Sequence, residues 1–476
     1  MDVLRFLPEV TLAAMAVVML GMSLFEVRAR VAQLTALGAS SVCLAAALLS
    51  LPAHGTLFFG AYRVDLFSQV FKVVLFLGLF LVVCLSSNLE GIREKFHGEY
   101  YFFLTTCTLG MVLLVSAVEL LTLYIALELS SYSLYILVPM RKDTGRGEEV
   151  EAGIKYLFFG AASSAVMLFG MSYLFGLTHT TYLAEIIGRL PVLMSQPAGV
   201  VALLFTAAGL MFKLSLFPFH FWAPDVYQGA ANQVTTFVAT VSKVAAVAVI
   251  IRIFSLASGA EGGSRGLVQV LTFLSIASMT LGNLSAIIQK DFKRMLAYSS
   301  IAHAGYILVG VVALSPAGFA ASIFYAAGYL VMNFSCFYVL TRIATDGQDL
   351  PIDGLAGLYT RSPLYALTLL TALISLAGIP PTVGFIAKWY VFAAAMKAGH
   401  WFLVLIAAIN AVISLYYYLR VLRVAYLVEP GSLPVIRATW PNRILNVLLV
   451  AALVYAGFFP GALTDMVYRA ARTLFG

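Results

Sequence analysis

The stretch Lys213–Ala230, KLSLFPFHFWAPDVYQGA, follows a long and almost wholly apolar run. It places a lysine, Pro218, His220, Trp222, Pro224 and Asp225 where a membrane helix would be expected to continue. Proline lacks a backbone donor and frees a carbonyl one turn back. In hydrocarbon that carbonyl needs another donor, so the break implies a hydrated or polar pocket beside Lys213.

The rest of the chain sets the context. Of its 476 residues, 62% are hydrophobic and 11% charged, and its mean hydropathy is +0.96. A soluble protein of this size carries roughly a quarter of its residues as charges. Apolar runs long enough to cross a hydrocarbon core of about 30 Å recur from end to end. The alternating period of an outer-membrane barrel is absent. The expectation is an all-α polytopic membrane protein with about 14 transmembrane helices, near 4–25, 31–51, 66–87, 99–116, 118–140, 153–176, 198–222, 230–256, 266–288, 293–313, 317–344, 363–396, 400–426 and 443–463.

Two spans are too irregular for plain helices: the seventh, and the twelfth with GIPPTVGF at Gly378–Phe385. They lie five spans apart, and an odd offset gives their units opposite orientations in the membrane. Paired interruptions of this kind point to inverted repeats. The expected organisation is N-terminal helices in 1–98, a first five-helix repeat in 99–256, an inverted second repeat in 266–426, and a C-terminal helix in 427–476.

Several function classes are excluded. The start, MDVLRFLPEV, lacks the basic region and cleavage site of a signal peptide, so the first span is expected to remain as an anchor. Cys43, Cys84, Cys107 and Cys336 stand singly in apolar segments, without the spacing of metal, iron–sulfur or redox sites. Nucleotide-binding glycine loops are missing. The net charge of +7 lies in scattered connectors, so no nucleic-acid partner is expected.

Loop charges give orientation through the positive-inside rule. With the N-terminus outside, inner connectors hold sixteen cations: Arg28, Arg30, Arg93, Lys95, Arg141, Lys142, Arg146, Lys290, Lys293, Arg294, Arg342, Arg361, Arg420, Arg423, Arg437 and Arg443. Outer ends and connectors hold eight: Arg5, Arg63, Arg189, Arg252, Arg265, Lys397, Arg469 and Arg472. Both termini are therefore expected on the outer face. The other five basic residues, Lys72, Lys155, Lys213, Lys243 and Lys388, lie within spans, and all are lysines. Arginine stays protonated, whereas a desolvated lysine can release its proton near neutral pH.

Buried charges are costly, at least about 2.5–3.5 kcal/mol at the bilayer centre, so each needs a partner, water or a function. Lys243 is midway along its span, and Lys388 follows the second break. Lys155 is within reach of Glu151 for an i,i+4 pair, and Lys72, near a helix start, is read as snorkelling. Glu119 and Glu128, nine residues apart, occupy opposite faces of one helix. The deeper Glu128 is the better lysine partner, and Glu119 is placed at the interface. A Glu–Lys pair can act as a switch, since moving the carboxylate away makes the lysine release its proton. His220 and His303 titrate in the range needed to relay between lysines. Asp225, after Pro224, is read as a cap of the second half-helix.

These stretches together resemble the antiporter-like membrane subunits of proton-pumping NADH:quinone oxidoreductase, respiratory complex I, and the related subunits of cation/proton antiporters. The resemblance spans nearly the whole chain. It rests on KLSLFPFHFWAPDVYQGA, ELSSYSLYILV around Glu128, EAGIKYLFFGAASSA around Lys155, KDFKRMLAYSSIAHAGY, and GIPPTVGFIAKWYVF around Lys388. PDVYQGA, the lysine in the last broken helix, and the lack of a long lateral helix resemble subunit N most closely. The resemblance implies an input pair of Glu128 and Lys213, assisted by Lys155, with Lys243 as central relay and Lys388 as exit-side site. It also implies a bacterial inner-membrane location and other complex I membrane subunits as partners. NAD, FMN, iron–sulfur clusters and quinone would lie on those partners, with no cofactor on this chain. One departure stands out: ANQVTTF follows YQGA, where the family commonly has a proline-rich PTPV-like stretch, which implies a less rigid turn into the eighth span. The competing functions are a cation/proton antiporter subunit and a scaffold whose buried charges pin helices together.

Overall fold

A computed structural model describes residues 2–87, 89–142, 145, 147–258, 264–344 and 347–475. Arg146, one of the loop cations counted above, lies outside the described residues, as do Met1 and Gly476. The chain runs as α1 (Leu7–Leu24), α2 (Ala29–Leu49), a short antiparallel hairpin of β1 (Gly55–Leu57) and β2 (Tyr62–Val64), then α3 (Leu66–Leu85), α4 (His97–Ser116), α5 (Leu120–Leu137) and α6 (Glu148–Thr178). The seventh span is split into α7 (Pro197–Leu214) and α8 (Trp222–Gly229). The eighth is α9 (Asn232–Ala239) and α10 (Val241–Ala257), followed by α11 (Ser264–Ile287), α12 (Phe292–Val312) and α13 (Pro316–Ile343). The twelfth is split into α14 (Pro363–Ala377) and α15 (Val383–Lys397), before α16 (Trp401–Leu427), α17 (Trp440–Phe458) and α18 (Gly461–Arg472). Among the described residues, 13 helical segments are long and apolar enough to cross a membrane, and the shorter Pro363–Ala377 belongs to the split twelfth span. The membrane-spanning, all-α reading of the sequence therefore agrees with the structure.

Burial is graded across the bundle. The α9–α10 span, α12 and α13 are buried along nearly their whole lengths, whereas α1, α2, α16 and α17 present much of their surface outward. Apolar residues surround the outer helices, as lipid contact requires. The polar side chains gather on the central helices, where Lys243, Ser299, Ser300 and His303 are all buried.

Both interruptions end a first half-helix in the left-handed region. Ser215 (φ 59°) follows α7 and Gly378 (φ 84°) follows α14. Glycine accepts that geometry without cost. At Gly378 space matters as well, because a Cβ would stand 2.8 Å from Cδ of Lys388. A third discontinuity was not legible from the sequence. The eighth span bends at Thr240 (φ −114°, ψ −73°), three residues before Lys243.

The turn from α8 into α9 is held without prolines. Thr235 Oγ1 donates to Tyr227 O (3.0 Å) and Ala230 O (3.4 Å), and Lys293 Nζ donates to Gln228 O (2.6 Å) and Ala230 O (3.2 Å). Every residue from Gly229 to Ile251 is buried. The less rigid turn implied by ANQVTTF is replaced by a hydrogen-bonded one.

Gly378→Ala should cost about 1–2 kcal/mol from the left-handed backbone alone and displace Lys388. A lower melting temperature of the purified protein in detergent is the expected readout, and an unchanged melt would contradict the packing described.

Candidate functional site

The two breaks use their freed carbonyls in the same way. Pro218 cannot donate to Leu214 O, and Pro381 cannot donate to Ala377 O. Lys243 Nζ lies 3.4 Å from Leu214 O, and Lys388 Nζ donates to Ala377 O at 2.8 Å. Each half-helix end presents its carbonyls at the negative end of the helix dipole, which favours a cation there.

Lys213, the last but one residue of α7, is 1% exposed. Its Nζ donates to Ser130 Oγ (2.8 Å) and lies 3.3 Å from Ser131 Oγ. Glu128 stands on the same helix, three residues before Ser131, with Oε1 buried and lacking a hydrogen-bond partner. Among the described residues no ion pair within 4.0 Å joins Glu128 to Lys213. The lysine rests on serines that lie two and three residues beyond the carboxylate on α5.

From Lys243 the polar groups continue along a single face of α12. Lys243 Nζ donates to Ser300 Oγ at 2.8 Å. One turn on, His303 Nδ1 and Nε2 lie 2.9 Å and 3.1 Å from the hydroxyls of Tyr325 and Tyr418. A further turn on, Tyr306 presents its ring to Lys388, whose Nζ is 4.8 Å from the centroid. Ser300, His303 and Tyr306 recur every three residues, so they form one stripe about 9 Å long. The stripe carries Lys243 at one end and Lys388 at the other. His220 is not part of it: its ring stacks against Phe217 (5.9 Å) and Phe221 (4.2 Å), and Nδ1 is buried without a partner.

The transmembrane model of the NADH:quinone oxidoreductase/Mrp antiporter family matches residues 117–414, a segment that contains all of these groups except Tyr418. NADH-quinone oxidoreductase subunit N 2 of Syntrophobacter fumaroxidans is 54% identical over 440 residues, covering 92% of each chain. The chain belongs to the family of NADH-quinone oxidoreductase N subunits. A chain of respiratory complex I from Thermus thermophilus superposes with a TM-score of 0.82 at 33% identity, covering 96% of this chain and 98% of that one. A chain of the Mrp complex from Dietzia sp. DQ12-45-1b shares the fold, with a TM-score of 0.88 at 21% identity and coverage of 100% and 98%.

Around this N-subunit centre, several sequence expectations require correction. Asp225 does not cap α8: the N-cap is Phe221, with no side-chain cap bond. Asp225 lies inside the first turn and instead bridges Lys155 (2.6 Å) and Arg294 (2.7 Å). Lys155 is 37% exposed and also pairs with Glu151 at 2.6 Å. It therefore sits in a half-exposed ion-pair network at the first turn of α8, with the expected i,i+4 pair to Glu151 formed. Glu119, in keeping with an acid at the end of its span, is the N-cap of α5, accepting from Thr122 N at 2.7 Å. Arg252, counted at an outer end, lies near the end of α10, where its guanidinium forks onto Asp65 at 2.9 and 3.0 Å. Lys72 does not snorkel: it is fully buried, 2.7 Å from Glu9. Glu9 was missed, although a lone acid in an apolar first span carries the same signal as Glu128.

A second cluster locks the connectors on the face opposite the termini. Arg141 donates to Gln228 O and Gly347 O, both at 2.9 Å, and pairs with Asp349 at 3.1 Å. Lys293 pairs with the same carboxylate at 2.9 Å. Burial alone would raise the Asp349 carboxyl, but the Lys293 and Arg141 charges outweigh it and hold the group below its ordinary value. Among the described residues no group of three or more metal-ligating side chains occurs.

The depressed Asp349 gives stability above its unfolded pKa, lost as pH falls through the lower folded value. Asp349→Asn leaves two cations without their carboxylate and should cost roughly 3 kcal/mol. The variant is expected to melt lower than wild type at neutral pH, with the gap narrowing in acid. A constant gap across that range would refute the lock.

Proposed function

We propose that protons cross the membrane through this chain along Glu128, Lys213, Lys243, the Ser300–His303–Tyr306 stripe and Lys388. The chain serves as the antiporter-like N subunit of a proton-translocating NADH-quinone oxidoreductase, and the redox steps take place elsewhere in that complex. The observation that carries the reading is the nature of the lysines' partners. Lys213, Lys243 and Lys388 rest on serine hydroxyls, backbone carbonyls and a tyrosine ring. A lysine solvated by neutral dipoles can lose its proton without leaving an unbalanced carboxylate beside it. Lys155, by contrast, is tied to two acids, Glu151 and Asp225.

Lys213 and Glu128 would form a switch with two positions. On the serines Lys213 stands free of the carboxylate; swung by one turn it would meet the unpartnered Glu128 oxygen, which favours the charged amine. Release from Glu128 then drives the proton toward Lys243. His303, held between two tyrosine hydroxyls, would carry it along the stripe to Lys388. His220, the other expected relay, lies against Phe217 and Phe221 with Nδ1 unpartnered and would act only if the break rearranges. Lys155 would position α8 through Asp225 rather than carry protons.

The packing supports two repeats over 99–256 and 266–426, and their odd five-span offset gives them opposite orientations. Helices α4 and α5 pack together as α11 and α12 do. Helix α6 packs on both halves of the first broken span, as α13 does on both halves of the second. The loop charges favour both termini on the periplasmic face of a bacterial inner membrane. NAD, FMN, iron–sulfur clusters and quinone would be bound by partner subunits, among them other antiporter-like chains.

Lys243→Arg keeps the charge and a donor to Ser300, but arginine's pKa lies roughly two to three units higher. The complex should assemble while NADH-driven proton uptake, insensitive to sodium, falls roughly tenfold or more. Lys213→Ala and Glu128→Ala should also assemble and lose coupled quinone reduction. Full pumping in all three would refute the route, and loss of assembly with pumping intact per complex would favour a scaffold.

A further inference from the structure

Outside the central route lies one fully buried ion pair that the mechanism does not use. Lys72 (0% exposed) on α3 and Glu9 (1% exposed) on α1 are 2.7 Å apart. Tyr62 on β2 donates to the same Glu9 oxygen at 2.5 Å, and its ring lies 5.3 Å from the ammonium. The other Glu9 oxygen is buried without a hydrogen-bond partner. Asp65, two turns before Lys72 on α3, fixes Arg252 and Arg63 (3.3 Å). Asp65 and Arg63 in turn line an open depression of about 610 Å³ on the terminus-bearing face, closed at one side by Thr473. Lys72 thus stands seven residues, about 10 Å of helical rise, along α3 from the Asp65 that lines this open surface depression.

We propose that Glu9 and Lys72 form an additional proton-exchanging site of this chain, serving its terminus-bearing face. This rests on the proton-translocating reading above. A pair needed only to hold helices together would be a poor choice, because apolar residues of similar shape often stabilise by about 1–4 kcal/mol more. Here one carboxylate oxygen takes the Tyr62 hydrogen bond and the Lys72 ion pair, while the other is left open to take a proton. In the exchange, an N–H bond of the Lys72 ammonium breaks and an O–H bond forms on Glu9. Glu9 then gives that proton to solvent from the depression, and the Lys72 amine is recharged from the membrane interior. One proton enters and one leaves, with no change in oxidation state. Helix α3 also abuts α10, the helix that carries Lys243: a Cβ on Gly78 would stand 2.6 Å from Val241 Cγ2.

The charged groups around the pair come from every side. Asp65 caps α3 itself and Arg252 lies on α10, while Cys43 on α2 faces Thr11 and Ser116 at the end of α4 faces Tyr62. Arg469 and Arg472 of α18 turn outward, and Arg342 of α13 sits at the far end of α3, near Leu85 O. Asp65 is occupied by two arginines, so Glu9 is the free acceptor, and Tyr62 is its positioning residue.

The test uses the assembled complex in proteoliposomes, supplied with NADH and a quinone, with internal acidification followed by a pH dye. Lys72→Arg preserves the ion pair but not a releasable proton, so assembly should be normal and acidification several-fold slower. Unchanged acidification would overturn the proposal. If Lys72→Arg fails to assemble, Tyr62→Phe keeps the pair and removes only the hydroxyl. Slower acidification with an altered pH profile is then expected, and a wild-type rate and profile would again overturn it. A harmless Lys72→Arg beside a blocked Lys243→Arg sinks this inference alone, whereas a harmless Lys243→Arg sinks the route it rests on.

Discussion

The architecture depends on a backbone problem inside hydrocarbon. Each broken span leaves a carbonyl that its proline cannot satisfy, at Leu214 and at Ala377, and an unpaired carbonyl at that depth costs several kcal/mol. The chain answers with lysines, Lys243 at the first break and Lys388 at the second. The same contacts meet two needs, since a buried ammonium also requires acceptors. Helix interruption and buried cation stabilise one another, which explains why they occur together twice.

A second regularity concerns what each buried cation touches. Apart from the fully buried Lys72–Glu9 pair, the cations matched with acids lie toward the two faces: Arg252 with Asp65, Lys155 with Asp225, and Lys293 and Arg141 with Asp349. In the centre the partners are hydroxyls, carbonyls and rings. Paired charges fix geometry and are expensive to break singly. Neutral dipoles hold a charge less rigidly and tolerate its loss. The rim of the bundle is therefore built to stay in place, and its interior to change protonation.

Much of this was legible in the sequence, for identifiable reasons. Apolar run length gave the spans, and the prolines at 218 and 381 gave the breaks. The restriction of in-span cations to lysine singled out Lys213, Lys243 and Lys388. What stayed hidden depends on contacts between residues far apart in the chain. Tyr325 and Tyr418 flank His303 from two other helices, and Asp349 meets Lys293 across 56 positions. The bend at Thr240 carries no proline or glycine to mark it. Asp225 and Lys72 were misread because local signals, a residue after proline and a residue near a helix start, were given weight that tertiary partners override.

The central claim is that Lys243 and Lys388 act in series through the α12 stripe. Proton translocation per electron in proteoliposomes, measured for Lys243→Arg, Lys388→Arg and the double variant, tests it most directly. For one continuous path, the double variant should lose no more than the more severe single variant. Losses that add in free energy would mean two independent paths and would contradict the account.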